Sequence, residues 1–151
     1  MNDPAARNRR RRGLIILVGV LAILAGLAAE IWWTAPLRGA IRTYWDLIGA
    51  ANRSDLDAAR RLCSSRYLQT HELALAPEGG IVGLPRNIHK NHQVWRHGDA
   101  VWLCPTNRVG PVYQFVFEGG SWRFDGPVGI LEAGQHLTPL PDNGPPTASE
   151  D

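Results

Sequence analysis

The stretch "VYQFVFEGGSWRFD", residues 112–125, decides the fold of this chain. Aromatic and β-branched residues fill both of its ends, which is typical of strands. The "EGGS" at 118–121 offers glycines for the positive φ of a tight turn. The stretch therefore predicts two antiparallel strands, at 112–118 and 121–125, joined as a hairpin.

More strands are predicted on either side of this hairpin. "RHGDA" supplies the glycine of a second hairpin turn, between strands at 88–96 and 100–104. Short apolar runs bounded by glycine and proline predict further strands at 80–84 and in "PVGIL", residues 127–131. We therefore expect four to six antiparallel strands.

Two amphipathic helices are predicted before the sheet. In residues 36–52, apolar side chains recur at helical spacing along one stripe: Leu37, Ile41, Tyr44, Trp45 and Ile48. Ser54 and Asp57 form a near capping box for a second helix at 55–68. The predicted domain is α+β, with both helices packed on one face of a curved antiparallel sheet.

Residues 13–33, "GLIILVGVLAILAGLAAEIWW", predict a transmembrane helix. A helix of that length spans about 31 Å, and its single charged residue, Glu30, lies near the end beside Trp32 and Trp33. The alternative is a cleaved signal peptide, whose apolar core rarely exceeds about 15 residues. The apolar run at 14–29 has 16 residues, which favours a retained anchor in the lipid bilayer.

The charge distribution predicts the orientation of that anchor. Residues 1–12 hold five arginines, and the positive-inside rule places such a basic tail in the cytoplasm. The α+β domain at 34–137 is then extracytoplasmic, at the inner or plasma membrane of the cell. From Thr34 onward eleven basic residues stand against twelve acidic ones, so nucleic acid is not expected as a partner. Residues 138–151, with four prolines, are expected to form a disordered tail.

The stretches "YWDLIGAANRSDLDAARRLCSSRYL" (44–68) and "GGSWRFDG" (119–126) resemble the nuclear-transport-factor-2-like superfamily. That superfamily includes polyketide-cyclase-like enzymes and many binding modules, and its fold is cone-shaped. The matching positions are Ala58, Ala59, Leu62 and Tyr67 in the second helix and Trp122 after the glycine turn. Similar architectures, an anchor followed by such a domain, occur in inner-membrane assembly factors of bacterial type IV secretion systems and in accessory proteins of bacterial lipid-import systems.

The resemblance implies a pocket at the wide end of the cone. Its ligand-binding candidates in this chain are four aromatic residues: Tyr44, Trp95, Trp102 and Trp122. Enzymes of the superfamily use a histidine with an aspartate or glutamate there, but no catalytic motif and no cofactor are predicted for this sequence. We expect Asp46 to face solvent, and His71 and Glu72 to serve a cap or a loop.

The histidines of "NIHKNHQVWRHG", residues 87–98, suggest a metal site, but their spacing opposes one. Side chains alternate faces along a strand, so His89 and His97 share one face and His92 points to the other. No metal is therefore predicted. A pH-sensing role stays open, since imidazole titrates near neutrality.

Cys63 and Cys104 both fall in the part of the chain predicted to lie outside. In an oxidising compartment a disulfide between them would close a loop of about 41 residues and stabilise the domain by about 4 kcal/mol. The alternative is two buried thiols that pack as small apolar groups.

The leading functional hypothesis is an extracytoplasmic binding or assembly module of the cell envelope, held by one membrane span. Its partner would be another protein or a second copy of the chain. The alternatives are a membrane-tethered enzyme of the cyclase or isomerase type, and a carrier that holds a small apolar ligand in an aromatic-lined cone.

Overall fold

The structure is a computed structural model, and it describes the backbone of residues 4–106, 108–133 and 136–140, with side chains from Ile16 onward. The described helices are α1 (Pro4–Asn52), α2 (Leu56–Leu62) and α3 (Ser65–Thr70). The strands are β1 (Gln93–His97), β2 (Ala100–Cys104), β3 (Gly110–Glu118), β4 (Ser121–Leu131) and β5 (Leu137–Pro139). The chain divides into two units, Met1–Ala35 and Pro36–Asp151.

The described part of the first unit is helical, and no protein packs against its apolar side chains. Every side chain from Ile16 to Trp33 is exposed, including Ile16 at 67%, Ile31 at 64% and Trp32 at 77%. A core helix of a water-soluble domain buries its apolar stripe, whereas this one covers none of it with protein. Among the described residues, this is the one helix long and apolar enough to cross a membrane, and it is a candidate span.

Helix α1 runs through Pro36, where the sequence predicts the start of a new helix. Proline removes one backbone N–H, which leaves the carbonyl of Trp32 without its usual helical donor. That is one hydrogen bond in a helix of 49 residues, and helices continue past such a loss. The helix start predicted at Pro36 therefore lies inside α1.

In the second unit, one stripe of α1 packs into the core. Ala40, Tyr44, Leu47 and Ala51 recur at steps of four, three and four residues and are fully buried. Trp45, which the sequence assigns to the stripe, is 52% exposed because it turns about 100° away from Tyr44 around the helix.

The predicted second helix at 55–68 is two helices. The side chain of Asp55 caps α2 by accepting a hydrogen bond from the backbone N–H of Ala58 at 2.9 Å, so the cap is not the predicted Ser54. Cys63 and Ser64 are extended, and the Ser64 hydroxyl caps α3 by accepting from the Tyr67 N–H at 3.0 Å. The extended pair follows the edge of β4, since the Ser64 N–H donates to the carbonyl of Phe124 at 2.8 Å.

The five described strands form one antiparallel sheet in the order β1-β2-β3-β4-β5. The sheet is curled into a half-barrel, and β3 and β4 shift register between Val112 and Tyr113 and between Gln114 and Phe115. Irregularities of this kind bend and twist a strand. The predicted α+β fold with a curved antiparallel sheet is confirmed.

Two predicted strands differ from the structure. Residues 80–84 form only an isolated bridge between Leu75 and Ile81, because Gly80 and Gly83 have φ of 85° and 77° and interrupt extended backbone. The strand predicted at 88–96 begins only at Gln93.

The chain after the main hairpin is more ordered than the sequence predicts. "PVGIL" does not form a separate strand, because β4 continues through it to Leu131. Thr138 and Pro139, assigned to the disordered tail, belong to β5, which pairs with Ile130 and Gly129. The rest of that predicted tail, 141–151, lies outside the described residues, as do residues 1–3 and the side chains of the basic tail.

The sheet has a helix face and an open face. On the helix face, the ring centroid of Tyr44 in α1 lies 6.0 Å from that of Tyr113 and 6.1 Å from that of Phe115. The ring centroid of Tyr67 in α3 lies 5.0 Å from that of Phe124. On the open face, a smaller cluster buries three side chains: Cys104, Val112 and Leu131. Both faces of the curled sheet therefore hold apolar groups.

The tip of the β3–β4 hairpin packs on α1 at a glycine. A Cβ atom on Gly39 would lie 2.3 Å from Cδ1 and 2.8 Å from Nε1 of Trp122. The hydroxyl of Thr43, one turn further, donates to the carbonyl of Trp122 at 3.0 Å. The ring of Phe117 packs beside that of Trp122, with ring centroids 5.6 Å apart, and Phe117 is 60% exposed.

Candidate functional site

An aromatic ladder crosses the open face at the β1–β2 hairpin. The turn at Gly98 (φ 59°) sets the register so that Trp95 lies opposite Trp102. Their rings meet edge to face with centroids 6.2 Å apart, and the ring of His97 stacks on Trp102 at 3.7 Å. Both tryptophans also pack against the apolar cluster of the open face.

A groove runs beside this ladder, and we call it the open-face groove. It has a volume of about 690 Å³ and is lined by His92, Gln93, Val94, Trp95, Trp102, Leu131 and Leu137. Because β1 and β5 are the two ends of the sheet order, the groove lies between the ends of the curled sheet.

The chemistry of the groove suits an apolar occupant. The described residues that line it include no aspartate, glutamate, lysine or arginine. Indole and leucine side chains supply the contact area. The polar groups come from His92, which precedes β1, and from Gln93, the first residue of β1. Small-molecule sites share this composition of apolar walls and a few polar groups.

A chain of hydrogen bonds leads from the ladder to a buried carboxylate. The indole N–H of Trp102 donates to the side-chain carbonyl of Gln114 at 2.9 Å, and the amide of Gln114 donates to Oδ2 of Asp125 at 2.9 Å. Arg66 of α3 donates to the same carboxylate through Nε at 3.1 Å and through a terminal nitrogen at 2.6 Å. The hydroxyl of Ser64 donates to Oδ1.

We call this group the Asp125 cluster; its members are Ser64, Arg66, Gln114 and Asp125. Its ion pair joins a buried carboxylate, that of Asp125, to the solvent-exposed guanidinium of Arg66. The side chain of Asp125 is 3% exposed, whereas that of Arg66 is 67% exposed. Burial alone would raise the pKa of the Asp125 carboxyl, but hydrogen bonds from Arg66, Ser64 and Gln114 outweigh it and hold the pKa below its usual range. A carboxylate with a lowered pKa and occupied oxygens is a poor general base, so the cluster fits a role in joining β4 to α3.

The structure separates the four predicted ligand-binding residues. Trp95 and Trp102 line the open-face groove. Tyr44 is fully buried on the helix face, where its hydroxyl donates to the carbonyl of Asn87 at 2.9 Å and burial raises its pKa. Trp122 is half-buried against the helix-face core. Two of the four therefore share a site.

The polar candidates lie apart from the groove. Asp46 is exposed on α1, as predicted, in a shallow pocket with Trp45 and Arg61. His71 ends α3, where its ring stacks on Tyr67 at 4.5 Å, and Glu72 is exposed in the loop that follows. These placements match a cap and a loop.

The histidines of residues 87–98 have separate surroundings. The His92 ring lies 3.2 Å from the backbone carbonyl of His89, while His97 stacks on Trp102. Within the part of the chain that the structure describes, no group of three metal-ligating side chains is close enough to share an ion. What remains of this stretch is its contribution to the groove and the ladder.

The two cysteines are free thiols, in place of the predicted disulfide. Cys63 belongs to the core cluster of the helix face, and Cys104 belongs to the smaller cluster with Val112 and Leu131. Burial raises the pKa of the Cys63 thiol to about 12, against a small opposing effect of Arg123. Both thiols are buried, which was the alternative, and the sulfur of Cys104 also lies 3.3 Å from the hydroxyl of Thr106.

The Asp125 cluster was missed in the sequence. Ser64 and Arg66 lie 61 and 59 positions before Asp125, and no short motif links residues at such a distance. One signal was present: aspartate is rare in strands, and Asp125 follows Phe124 inside one. A charged residue inside a strand indicates a partner.

Comparison with known proteins leaves these features without a relative. No protein-family model, no curated protein and no solved structure matches the chain.

Proposed function

We propose that this protein is a single-pass, membrane-anchored binding or assembly module of the cell envelope. The observation that carries the proposal is the bare apolar helix: each described side chain at 16–33 is exposed in the protein alone. A bilayer supplies the apolar surroundings that such a surface requires. The five arginines in residues 1–12 favour a cytoplasmic N-terminus and an extracytoplasmic second unit, at the inner or plasma membrane.

Several features of the second unit support binding rather than catalysis. The interior between α1 and the sheet is filled by rings, including Tyr44, Tyr113 and Phe115. The buried carboxylate of Asp125 is fully engaged by its partners. Among the described residues that line the open-face groove, no acidic side chain accompanies the imidazole of His92, so these residues offer apolar contact area without an acid–base pair. The resemblance to nuclear-transport-factor-2-like binding modules supports the same reading.

A second candidate function is a carrier for a small apolar ligand. The volume of the open-face groove, about 690 Å³, lies in the range of small-molecule sites, about 300–1,000 Å³. A carrier and an assembly module use the same surface here, and they differ in what occupies it.

Site-specific photo-crosslinking of the full chain in its own membrane tests the proposal. A photoreactive residue in place of Leu137 faces the groove, and the same residue in place of Asp46 is the matched control on an exposed part of α1. The proposal predicts a protein adduct from position 137 that is absent from position 46. An adduct with lipid or small molecules alone would favour the carrier, and equal labelling at both positions would contradict a specific site.

Anchoring is tested on the same material. An integral span keeps the chain in the membrane pellet after extraction at high pH, whereas a peripheral protein is released. Release of the chain into the supernatant would contradict the proposed function.

A further inference from the structure

Two aromatic side chains stand at the tip of the β3–β4 hairpin, and we call them the hairpin-tip rings. Phe117 and Trp122 are register partners across the hairpin, and their rings meet edge to face. Phe117 is 60% exposed, more than any other large apolar side chain described in the second unit. In the protein alone its ring therefore keeps apolar area in water, which forgoes hydrophobic stabilisation.

The hairpin-tip rings lie beside the part of α1 that follows the candidate span. Trp122 packs on Gly39, and the hydroxyl of Thr43 donates to its backbone carbonyl at 3.0 Å. Gly39 comes six residues after Trp33, and six residues reach at most about 22 Å even when fully extended. The indole rings of Trp32 and Trp33 favour the membrane–water interface. If the span crosses a bilayer, the backbone therefore keeps the contact at Gly39 close to the membrane surface.

The charges beside this contact suit a phospholipid surface. Arg38 and Arg42 are exposed on α1, each one residue before a position that holds Trp122. Glu118, the last residue of β3, is bound by α3, where its carboxylate accepts from the backbone N–H of Ser65 at 3.1 Å. Two arginines against one carboxylate leave positive charge beside the rings, and guanidinium groups bind phosphate well.

We propose that the hairpin-tip rings insert into the headgroup region of the bilayer that holds the span. Aromatic side chains are enriched at that depth, where apolar and polar surroundings meet. Phe117 supplies exposed apolar area, and the packing of Trp122 on Gly39 fixes the hairpin tip against α1. This inference rests on the proposed membrane-anchored function and adds a lipid contact that the second unit itself makes. Such a contact limits how the second unit can turn about its connection to the span.

The other end of β3 provides a matched control position. Val109 directly precedes β3 and is 49% exposed. It lies eight residues before Phe117, which is about 26 Å along a strand. Both side chains are apolar and about half exposed, so a difference in lipid contact between the two ends reports where the bilayer lies.

Quenching by spin-labelled lipid tests the insertion. Cys63→Ala and Cys104→Ala remove both native thiols from the full chain, and a fluorescent label is attached to Ser121→Cys or to Val109→Cys. A label at position 121 leaves both hairpin-tip rings native. The chain is placed in vesicles of phosphatidylethanolamine and phosphatidylglycerol that carry nitroxide on headgroups in both leaflets. We expect a loss of fluorescence at position 121 and none at position 109.

Substitution of the exposed ring supplies a second measurement. Phe117→Ser removes the apolar area that enters the headgroups and should reduce the quenching at position 121. Val109→Ser is the matched control, because it removes an exposed apolar side chain at the other end of β3. It should leave the quenching at position 121 unchanged.

The outcomes separate this inference from the proposed function. No quenching at position 121, equal quenching at positions 121 and 109, or quenching that Phe117→Ser leaves unchanged would overturn the insertion of the rings, even if the chain floats with the vesicles. A chain that does not float with the vesicles would instead overturn the proposed function.

Discussion

Replacing Gly39 with alanine should destabilise the second unit, although alanine is the better helix former. Position 39 lies inside α1, where glycine costs about 1 kcal/mol relative to alanine. The added Cβ would stand 2.3 Å from Cδ1 of Trp122, so the indole has to move by about 1 Å to reach ordinary contact. The ring is held by its neighbour Phe117, and its backbone carbonyl is held by Thr43.

The net effect follows from two opposing contributions. Overpacking of this kind costs about 1–3 kcal/mol, against a gain of about 1 kcal/mol from helix propensity. The expected loss is therefore about 1 kcal/mol, which lowers the melting temperature of a domain of this size by about 4 °C. In a Trp122→Ala background the clashing atoms are gone, and Gly39→Ala should stabilise the fold by up to about 1 kcal/mol.

A double-mutant cycle measures this reversal of sign. Unfolding of the full chain in detergent is followed by near-ultraviolet circular dichroism, which reports on the packing of aromatic side chains and does not record the backbone signal of the long helix. The coupling energy between positions 39 and 122 should be about 1–3 kcal/mol. Equal destabilisation in both backgrounds, or stabilisation by Gly39→Ala in the native background, would refute the packing of Trp122 on Gly39.

Three further predictions concern charge and redox state. Asp125→Asn should lower the free energy of unfolding at pH 7 by about 1.5–3 kcal/mol, because Arg66 loses a charged acceptor. The pKa of Asp125 is lower in the folded protein than in the unfolded chain, so the stabilisation is present above about pH 4, the unfolded pKa, and is lost as the pH falls through the folded pKa. Urea titrations at several pH values measure the difference in free energy of unfolding between the native chain and the variant. A difference that stays the same at low pH would contradict this prediction. Cys63 and Cys104 are free, so mobility on a non-reducing gel should not change on reduction, and a shift would reject the separated thiols. Neutral residues at 9–12 should weaken or invert the proposed orientation of the candidate span, as read by protease accessibility, and unchanged topology would show that these arginines do not set it.

The sequence predicts those parts of the fold that local chemistry determines. Glycine at 98 and at 119–120 marks both hairpin turns, and the runs at 100–104 and 112–118 are strands within two residues of their predicted bounds. The α+β class follows from these patterns. Each signal lies within about ten residues of the structure it specifies.

The features that sequence patterns did not predict depend on contacts between distant segments. The break at Cys63–Ser64 exists because that pair follows the edge of β4, and Asp125 is paired with residues about 60 positions earlier. The open-face groove arises from the curl of the sheet, which brings Leu137 near Trp95 and leaves Tyr44 and Trp122 on the other face. Ring type identified four candidates, and only sheet geometry could separate them.

The most direct test of a membrane-anchored module with an outward domain is thiol labelling in intact cells. Asp99→Cys, in the exposed β1–β2 turn, and Asn8→Cys, in the basic tail, are made in a chain without native cysteines. With a reagent that cannot cross membranes, position 99 should be labelled in intact cells and position 8 only after permeabilisation. Labelling of position 8 but not position 99 in intact cells, or of neither until the cells are opened, would contradict the proposed orientation.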